Sequence, residues 1–465
     1  MAFPSDTKQD LTNFDSAMKI RYGKAIVETI NRKVVLYNLL TKSKEHWTGK
    51  HHEVPVYLRS SNAYGARNEG GNLPPAGSDQ YLSSIIKNKF NYIVMSVTNI
   101  AEAQTADQAG AWASVKTAQL KNRVKDLTDN INRQLNGDGT GILGEANGAG
   151  LSVTLRGYDD GTTIENTASG GAGNASNTPR TTRHLKVGMR VAWGEAEGDD
   201  EADSLDATTS GEDSRGHGIV ATVSKSSPFT AFTITKIGGD NPVAGDVFVN
   251  GGSTSTGTIG AADTSYKKEM MGLAGAVSDQ AFPNTGGTAG TFQEINPSTF
   301  SEWQAQMFAN PAGEGSERPL TEDLLNQAVD AVNDLSPGQT DLLVMHTSTQ
   351  RAFLNMLKSK GQERFQPLEL AGGYKALSYY HDGAQIPIVA GKDVRHRQIF
   401  VLSKAALKVM ETSPFKWDES GGAVWKWVSG KDEVTAFGRT YNNLGVTARN
   451  GLARIKDIAV TGLVS

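Results

Sequence analysis

The sequence predicts a multidomain α+β chain with a small β-barrel or sandwich inserted between its helical part and its mixed part. Three observations carry this reading. A row of apolar residues at helical spacing runs through 112–135, short extended runs punctuated by glycine fill 151–275, and helices alternate with strands over 276–410. The 465 residues allow about two to four domains, and a chain of this size can bury a core without staples. With no cysteine, a disulfide framework, a thiolate metal site and a thiol nucleophile are excluded. The 46 Lys and Arg against 50 Asp and Glu leave a net charge of −4, so no basic excess advertises nucleic acid. No apolar run approaches the ~20 residues of a membrane span, and the polar Met1–Lys8 does not resemble a secretory signal. The expectation is a soluble protein of a reducing compartment. Its 51 glycines exceed the average usage of about 7%, which suits turns, hairpins and extended loops.

Phe14, Met18, Tyr22, Ile26 and Ile30 recur every four residues, as in an amphipathic helix. Residues 1–60 hold ten Lys and Arg against six Asp and Glu. This mildly basic arm reads as a solvated helix face, or as a segment lying on a neighbouring subunit or an acidic partner. Glu53–Arg59 and Phe90–Thr98 are extended runs rich in β-branched and aromatic residues. Between them, Ser60–Gln80 has four glycines, two adjacent prolines and no apolar cluster, so it predicts the irregular tip of a long two-stranded projection. An isolated hairpin is marginal in water, and such a projection implies something to lie against. Trp112, Leu120, Val124, Leu127, Ile131 and Leu135 then mark one stripe of a long helix, with Gly137 where a terminating glycine is favoured. A rod of this kind packs as a strut on a sheet.

Asn136, Asp138, Thr140 and Gly141 match the first half of a calcium loop, but the twelfth position is Asn147 instead of a bidentate glutamate, so a glycine-rich turn is the expectation. The low-complexity run Asn166–Asn177 reads as a loop. Leu185–Trp193, Gly218–Val223, Phe229–Ile237 and Gly245–Val249 read as the strands of the inserted module. The segment 194–213 carries nine acids and no base and reads as a solvated loop. Downstream, Leu320–Val332 and Ser348–Ser359 read as helices, and Asp341–His346, Ile386–Ala390 and Gln398–Leu402 as strands. Ala423–Val428, Glu433–Tyr441 and Leu452–Ile458 alternate or nearly alternate, the pattern of antiparallel strands.

No catalytic constellation stands out. There is no Gly-x-Ser-x-Gly elbow and no His-Glu-x-x-His, the glycine-rich turn lacks the Lys-Ser/Thr of a phosphate loop, and the eight histidines are scattered. His346 ends an apolar strand and reads as a satisfied core-edge group, and Arg395-His396-Arg397 is too short a basic knot to indicate nucleic acid. Trp417, Trp425 and Trp427 read as core or interface. The sequence thus predicts no enzyme, no cofactor and no metal site.

The order of these segments resembles the major capsid proteins of tailed bacteriophages, the Hong Kong 97-type fold. The residues that carry the resemblance are Gly70–Ser78 in the hairpin, Leu135–Gly144 after the helix and Ile386–Ala390 before the closing strands. Leu185–Met189 with Ala244–Val249 resembles the inserted β-domain of some members. The resemblance implies an N-terminal arm (1–50), an E-loop hairpin (51–98), a peripheral domain with the spine helix (99–150), the inserted β-domain (151–275), an axial α/β domain (276–410) and closing strands of the peripheral domain (411–465). It places Tyr64, Arg67, Glu69, Leu73, Pro74 and Pro75 of the E-loop at contacts between subunits. It further implies self-assembly into hexamers and pentamers of an icosahedral head around double-stranded DNA held non-specifically. The implied partners are a separate scaffolding protein, a portal and a decoration protein, with no membrane, and assembly is implied in the host cytoplasm. Some relatives join subunits through a lysine in the hairpin; Ser60–Gln80 has none. An encapsulin-like nanocompartment shell, and a multidomain hydrolase or carbohydrate-binding protein, are the alternatives.

Overall fold

The computed structural model describes residues 36, 39–40, 42–43, 51–61, 63–105, 115–156, 182–196, 205–206, 216–224, 230–251, 264–281, 290–311, 317–335, 339–359, 368–370, 374–418 and 424–460. The elements run β1 (Lys42–Ser43), β2 (His51–Arg59), β3 (Gln80–Lys87), β4 (Lys89–Thr98), α1 (Asn99–Thr105) and α2 (Val115–Asn136). Then come β5 (Ile142–Ala146), β6 (Ser152–Arg156), β7 (Arg190–Ala196), β8 (Leu205–Asp206), β9 (Gly216–Val223), β10 (Ala231–Gly239), β11 (Asp246–Asn250) and α3 (Leu273–Ala276). The third stretch holds β12 (Gln306–Phe308), α4 (Glu322–Leu335), β13 (Leu342–His346), α5 (Thr347–Ser359), β14 (Leu368–Leu370), β15 (Tyr374–His381), β16 (Ala384–Gly391) and β17 (Ile399–Leu402). Last are β18 (Leu407–Trp417), β19 (Lys426–Trp427), β20 (Glu433–Val446) and β21 (Leu452–Ile455). Most of the N-terminal arm, the run Asn166–Asn177, most of the acidic segment and Trp112 lie outside the described residues.

The projection is a two-stranded ribbon, but its second strand is β3, which pairs with β2 from Arg59↔Gln80 to His51↔Lys87. The run 90–98, expected as that second strand, instead forms β4 and lies along β20. The reason is visible in β3: Gln80-Tyr-Leu-Ser-Ser-Ile-Ile-Lys is half polar and reads weakly alone, whereas its partner decides its state. On its other edge β20 is flanked by β18 and β19, which makes the peripheral sheet.

Seven strands in the order β12-β21-β17-β13-β16-β15-β14 form the axial sheet. The last of these to be reached in sequence, β21, was expected among the closing strands of the peripheral domain; it pairs with β17 instead. Alternation along these strands fills two cores. Leu343, Met345, Ile388, Ile399 and Val401 face α4 and α5, with Leu325, Val329 and Phe353. Their neighbours Leu342, Val344, Val389, Phe400 and Leu402 face the peripheral sheet's Leu407, Val409, Leu444 and Val446. Each such fully buried side chain contributes about 1.5–3 kcal/mol.

The inserted module is a closed six-stranded antiparallel barrel, because β11 pairs with both β5 and β7 and completes the ring β11-β5-β6-β10-β9-β7. It begins at Ile142, earlier than the boundary at 151, so part of the stretch expected as a glycine-rich turn of the peripheral segment is a barrel stave. Trp193, Phe232 and Phe248 fill its interior with Val191, Val220 and Leu155. This leaves a packed core, not a ligand cavity.

Two glycines let the chain after the barrel return against the end of α2. A Cβ on Gly272 would lie 2.2 Å from the Gln134 carbonyl oxygen, and one on Gly275 would lie 2.5 Å from the Met271 sulfur. Arg449, wholly buried, then ties this segment down. Its guanidinium donates to the carbonyls of Ala276 (3.1 Å), Gly275 (3.0 Å), Gln280 (2.8 Å) and Trp303 (3.4 Å) and lies 4.0 Å from the centre of the Phe292 ring.

Candidate assembly surface

The base of the ribbon rests on the body. Val56 and Leu58 enter the central core beside Leu36, Leu39 and Leu40. Arg59 pairs with Glu302 and lies over Phe300. Lys87 meets Glu294 at 3.1 Å, and the amide of Ile85 donates to the Gln293 carbonyl at 3.0 Å. Gln293 and Glu294 have φ of +53° and +65° between the paired Phe292 and Ile295. This tight turn has both central residues left-handed and acts as a hook under β3.

Beyond Arg59 and Gln80 the ribbon leaves the body. Tyr64 is 78% and Leu73 86% exposed. Arg67, Glu69 and Pro75 are exposed and Pro74 is half-buried. The tip's hydrogen bonds are internal: Arg67 donates to the carbonyls of Asn72 (3.1 Å) and Ala66 (3.0 Å), and the Ser61 amide donates to Asp79 (2.8 Å). An apolar side chain such as Leu73, held out in water on a glycine- and proline-rich loop, gains nothing from its own subunit.

Sequence reasoning missed a second uncovered surface. On β4, Lys89, Asn91, Ile93, Met95 and Val97 turn inward, while Phe90 (54%), Tyr92 (58%) and Val94 (65%) face out. Phe90 meets Tyr441 of β20 edge-on at 4.9 Å, and Arg439 lies 5.8 Å from the Tyr441 ring centre. The signal was present: β4 is apolar on both faces, the pattern of a strand covered on both sides. Beside this strand an open groove of about 440 Å³ runs between α2 and the barrel segment leading into β7, bordered by Tyr92, Arg123, Asp126, Lys186 and Lys392.

The stripe of α2 is buried unevenly. Leu135 and Leu127 are buried and Ile131 packs on the central core, whereas Leu120 is half-buried and Val124 is 37% exposed. The calcium-like turn uses its carboxylate internally: Asp138 accepts from the Thr140 amide (3.0 Å) and from Arg395 (3.1 Å). Among the described residues no group of His, Asp and Glu is arranged to hold a metal ion, and no helix is long and apolar enough to cross a membrane.

A ribbon with a free tip, a long helix beside the sheet of β4, β18, β19 and β20, a separate seven-stranded α/β sheet and an inserted barrel make up the described architecture. Residues 247–422, which run from the last barrel stave through the axial sheet into the peripheral sheet, match the family described as SU10 major capsid protein. Over that stretch, which is less than half of the chain, the sequence is similar to a phage major capsid protein. Similar solved structures include the capsid asymmetric unit of cyanophage A-1(L), at 11% identity over 93% of this chain and 95% of that one, TM-score 0.49. Another is the holo-SrpI encapsulin complex from Synechococcus elongatus PCC 7942, at 9% identity over 98% of each chain, TM-score 0.45. A third is the capsid of a native GTA particle, at 8% identity over 97% and 99%, TM-score 0.44. No curated protein matches the sequence significantly.

Proposed function

We propose that copies of this chain tile an icosahedral phage head as hexamers and pentamers around double-stranded DNA, and that neighbours meet through the ribbon tip and the outer face of β4. The observation that carries the reading is the tip itself. Residues 63–79 are exposed apart from the half-buried Pro74, while the ribbon's base is docked by two ion pairs and an apolar contact. Ordering a loop costs about 1–2 kcal/mol per residue in backbone entropy, and a second subunit beneath it supplies the missing contacts. The near-neutral net charge of −4 suits a container that holds its contents without gripping them. On this reading the shell assembles in the host cytoplasm with a separate scaffolding protein, takes a portal at one vertex and has a surface open to a decoration protein.

Negative-stain microscopy of the expressed protein tests this. The full chain forms closed particles, and a deletion of Asn62–Asp79 gives a soluble, folded subunit that forms none. Normal shells from the deletion would refute the reading.

A further inference from the structure

Three of the eight histidines, scattered in sequence at 184, 346 and 396, meet at one buried joint. It lies where the barrel segment leading into β7, the end of α2, the start of α5 and the 391–397 loop of the axial domain come together. His346 and His396 are 2% and 1% exposed, and the His184 side chain 9%. The rings of His346 and His396 lie 3.7 Å apart, with the Ser348 hydroxyl between them at 2.7 Å from Nδ1 of the first and 3.3 Å from Nδ1 of the second.

Two hydrogen bonds at this joint exist only for neutral imidazoles. Nδ1 of His346 accepts the backbone N–H of Ser348 at 3.0 Å. Because α5 starts at Thr347, this bond caps the amino end of the helix. Nε2 of His184 accepts from Nε of Arg183 at 3.0 Å. A proton on either nitrogen turns an acceptor into a donor facing a donor, and places a positive charge at the positive end of α5 or against a guanidinium. The same Arg183 donates to the Val394 carbonyl at 3.1 Å and so fastens the barrel to the axial loop.

The surroundings offer no relief. Cations face the histidines from every packed element: Arg183 from the barrel, Arg133 from α2, Arg351 from α5, and Lys392 and Arg397 from the axial loop. The nearby acids are committed. Asp393 accepts from Asn132 (2.6 Å) and Lys392 (2.8 Å) and is 3.9 Å from His184. Asp138 accepts from Arg395, Glu317 pairs with Arg397 at 2.6 Å, and Glu269 pairs with Arg133. Burial, followed by Arg183, holds His346 down at about 3 and depresses His396 further; a hydrogen bond to the Lys392 backbone opposes this at His346. Burial likewise lowers His184 well below its ordinary value.

We propose that this joint is an acid-opened release: protonation uncaps α5, drives His346 and His396 apart and frees the inserted barrel from the axial loop. The sign follows from linkage. Each histidine is neutral in the closed joint and takes up a proton once open, so below a pH of about 6.5 the opening equilibrium rises up to tenfold per pH unit for each one. The release stands on the joint's own geometry and does not depend on assembly.

Hydrogen exchange of the full chain, followed peptide by peptide and corrected for the intrinsic pH dependence of exchange, tests the proposal. From pH 7.5 to 5.0, opening of 182–189, 347–352 and 391–397 should increase at least tenfold, while the barrel strands 216–223 and 231–239 keep their protection. Equal protection of the joint at both pH values would overturn it. His346→Asn keeps a helix cap that does not titrate, so the pH slope should fall by about tenfold per unit; an unchanged slope would also overturn it. Should that variant not fold, His396→Gln, which removes a second titrating ring from the joint, must likewise lower the pH slope, and an unchanged slope counts against the proposal.

Discussion

Arg449 shows how one side chain can substitute for secondary structure. Gly275, Ala276, Gln280 and Trp303 lie around it with carbonyls that accept from its guanidinium. Burial pulls that guanidinium down to about 9, opposed by Asp279. Arg449→Leu would leave those carbonyls without this donor, and each unsatisfied buried polar group costs roughly 1–3 kcal/mol. We expect a loss of about 3 kcal/mol or more in urea denaturation of the subunit, and Arg449→Lys should recover little because a single ammonium lacks the planar fork. Gly272→Ala tests the neighbouring close approach. Its methyl would meet backbone oxygens of Gln134 and Gly137 at 2.2 and 2.5 Å, neither of which can swing aside, so overpacking should cost about 1–3 kcal/mol in the same assay. Neither residue stood out in the sequence. An arginine three residues before a strand, and one glycine among 51, acquire their roles only from partners more than a hundred positions away.

Elements were legible where the local pattern was strong. The strands β7, β9, β10, β11, β13, β16, β17 and β20 and the helices α2, α4 and α5 lie where periodicity put them. The ribbon's glycine- and proline-rich tip also lies at the expected place. What failed was pairing. β3 is too polar to announce itself, β5 follows the helix so closely that it reads as part of the turn, and β21 looks like a continuation of β20. Each is assigned by a partner far along the chain, and period-2 alternation says which face is buried but not against which strand. The proposed assembly surface divides the same way: the resemblance in the sequence pointed to the E-loop residues, whereas the outer face of β4 was hidden by a strand apolar on both sides. The closed barrel gives the element its own prediction. Phe248→Ala removes a ring that packs against both Trp193 and Phe232, at a cost of about 3–5 kcal/mol. Because the barrel holds a core separate from the axial sheet's, limited proteolysis should cut within 142–250 while 339–359 and 384–402 stay protected.

At the scale of the whole molecule, two large sheets share one core, and the ribbon's root is anchored in that core with Leu36, Leu39 and Leu40. The subunit is therefore stable through its centre, while Tyr64 and Leu73 at the tip and Phe90, Tyr92 and Val94 on β4 stay exposed. A ribbon folded wholly back on its own body would have left no reason for a neighbour; only its root does so. The same division separates folding from assembly. Tyr92 and Val94 are 58% and 65% exposed and their β4 neighbours Ile93 and Met95 carry the inward packing. The double variant Tyr92→Ser, Val94→Lys should then shift subunit stability by no more than about 1 kcal/mol. A buried lysine at a contact between copies is costly, because its charge must leave water without a partner. We expect this variant to be folded by circular dichroism and to unfold at nearly the wild-type midpoint, yet to sediment as free subunits where the wild type gives shells. Closed particles at the wild-type yield would show that the outer face of β4 carries no contact, and would leave the ribbon tip as the surface to which assembly answers.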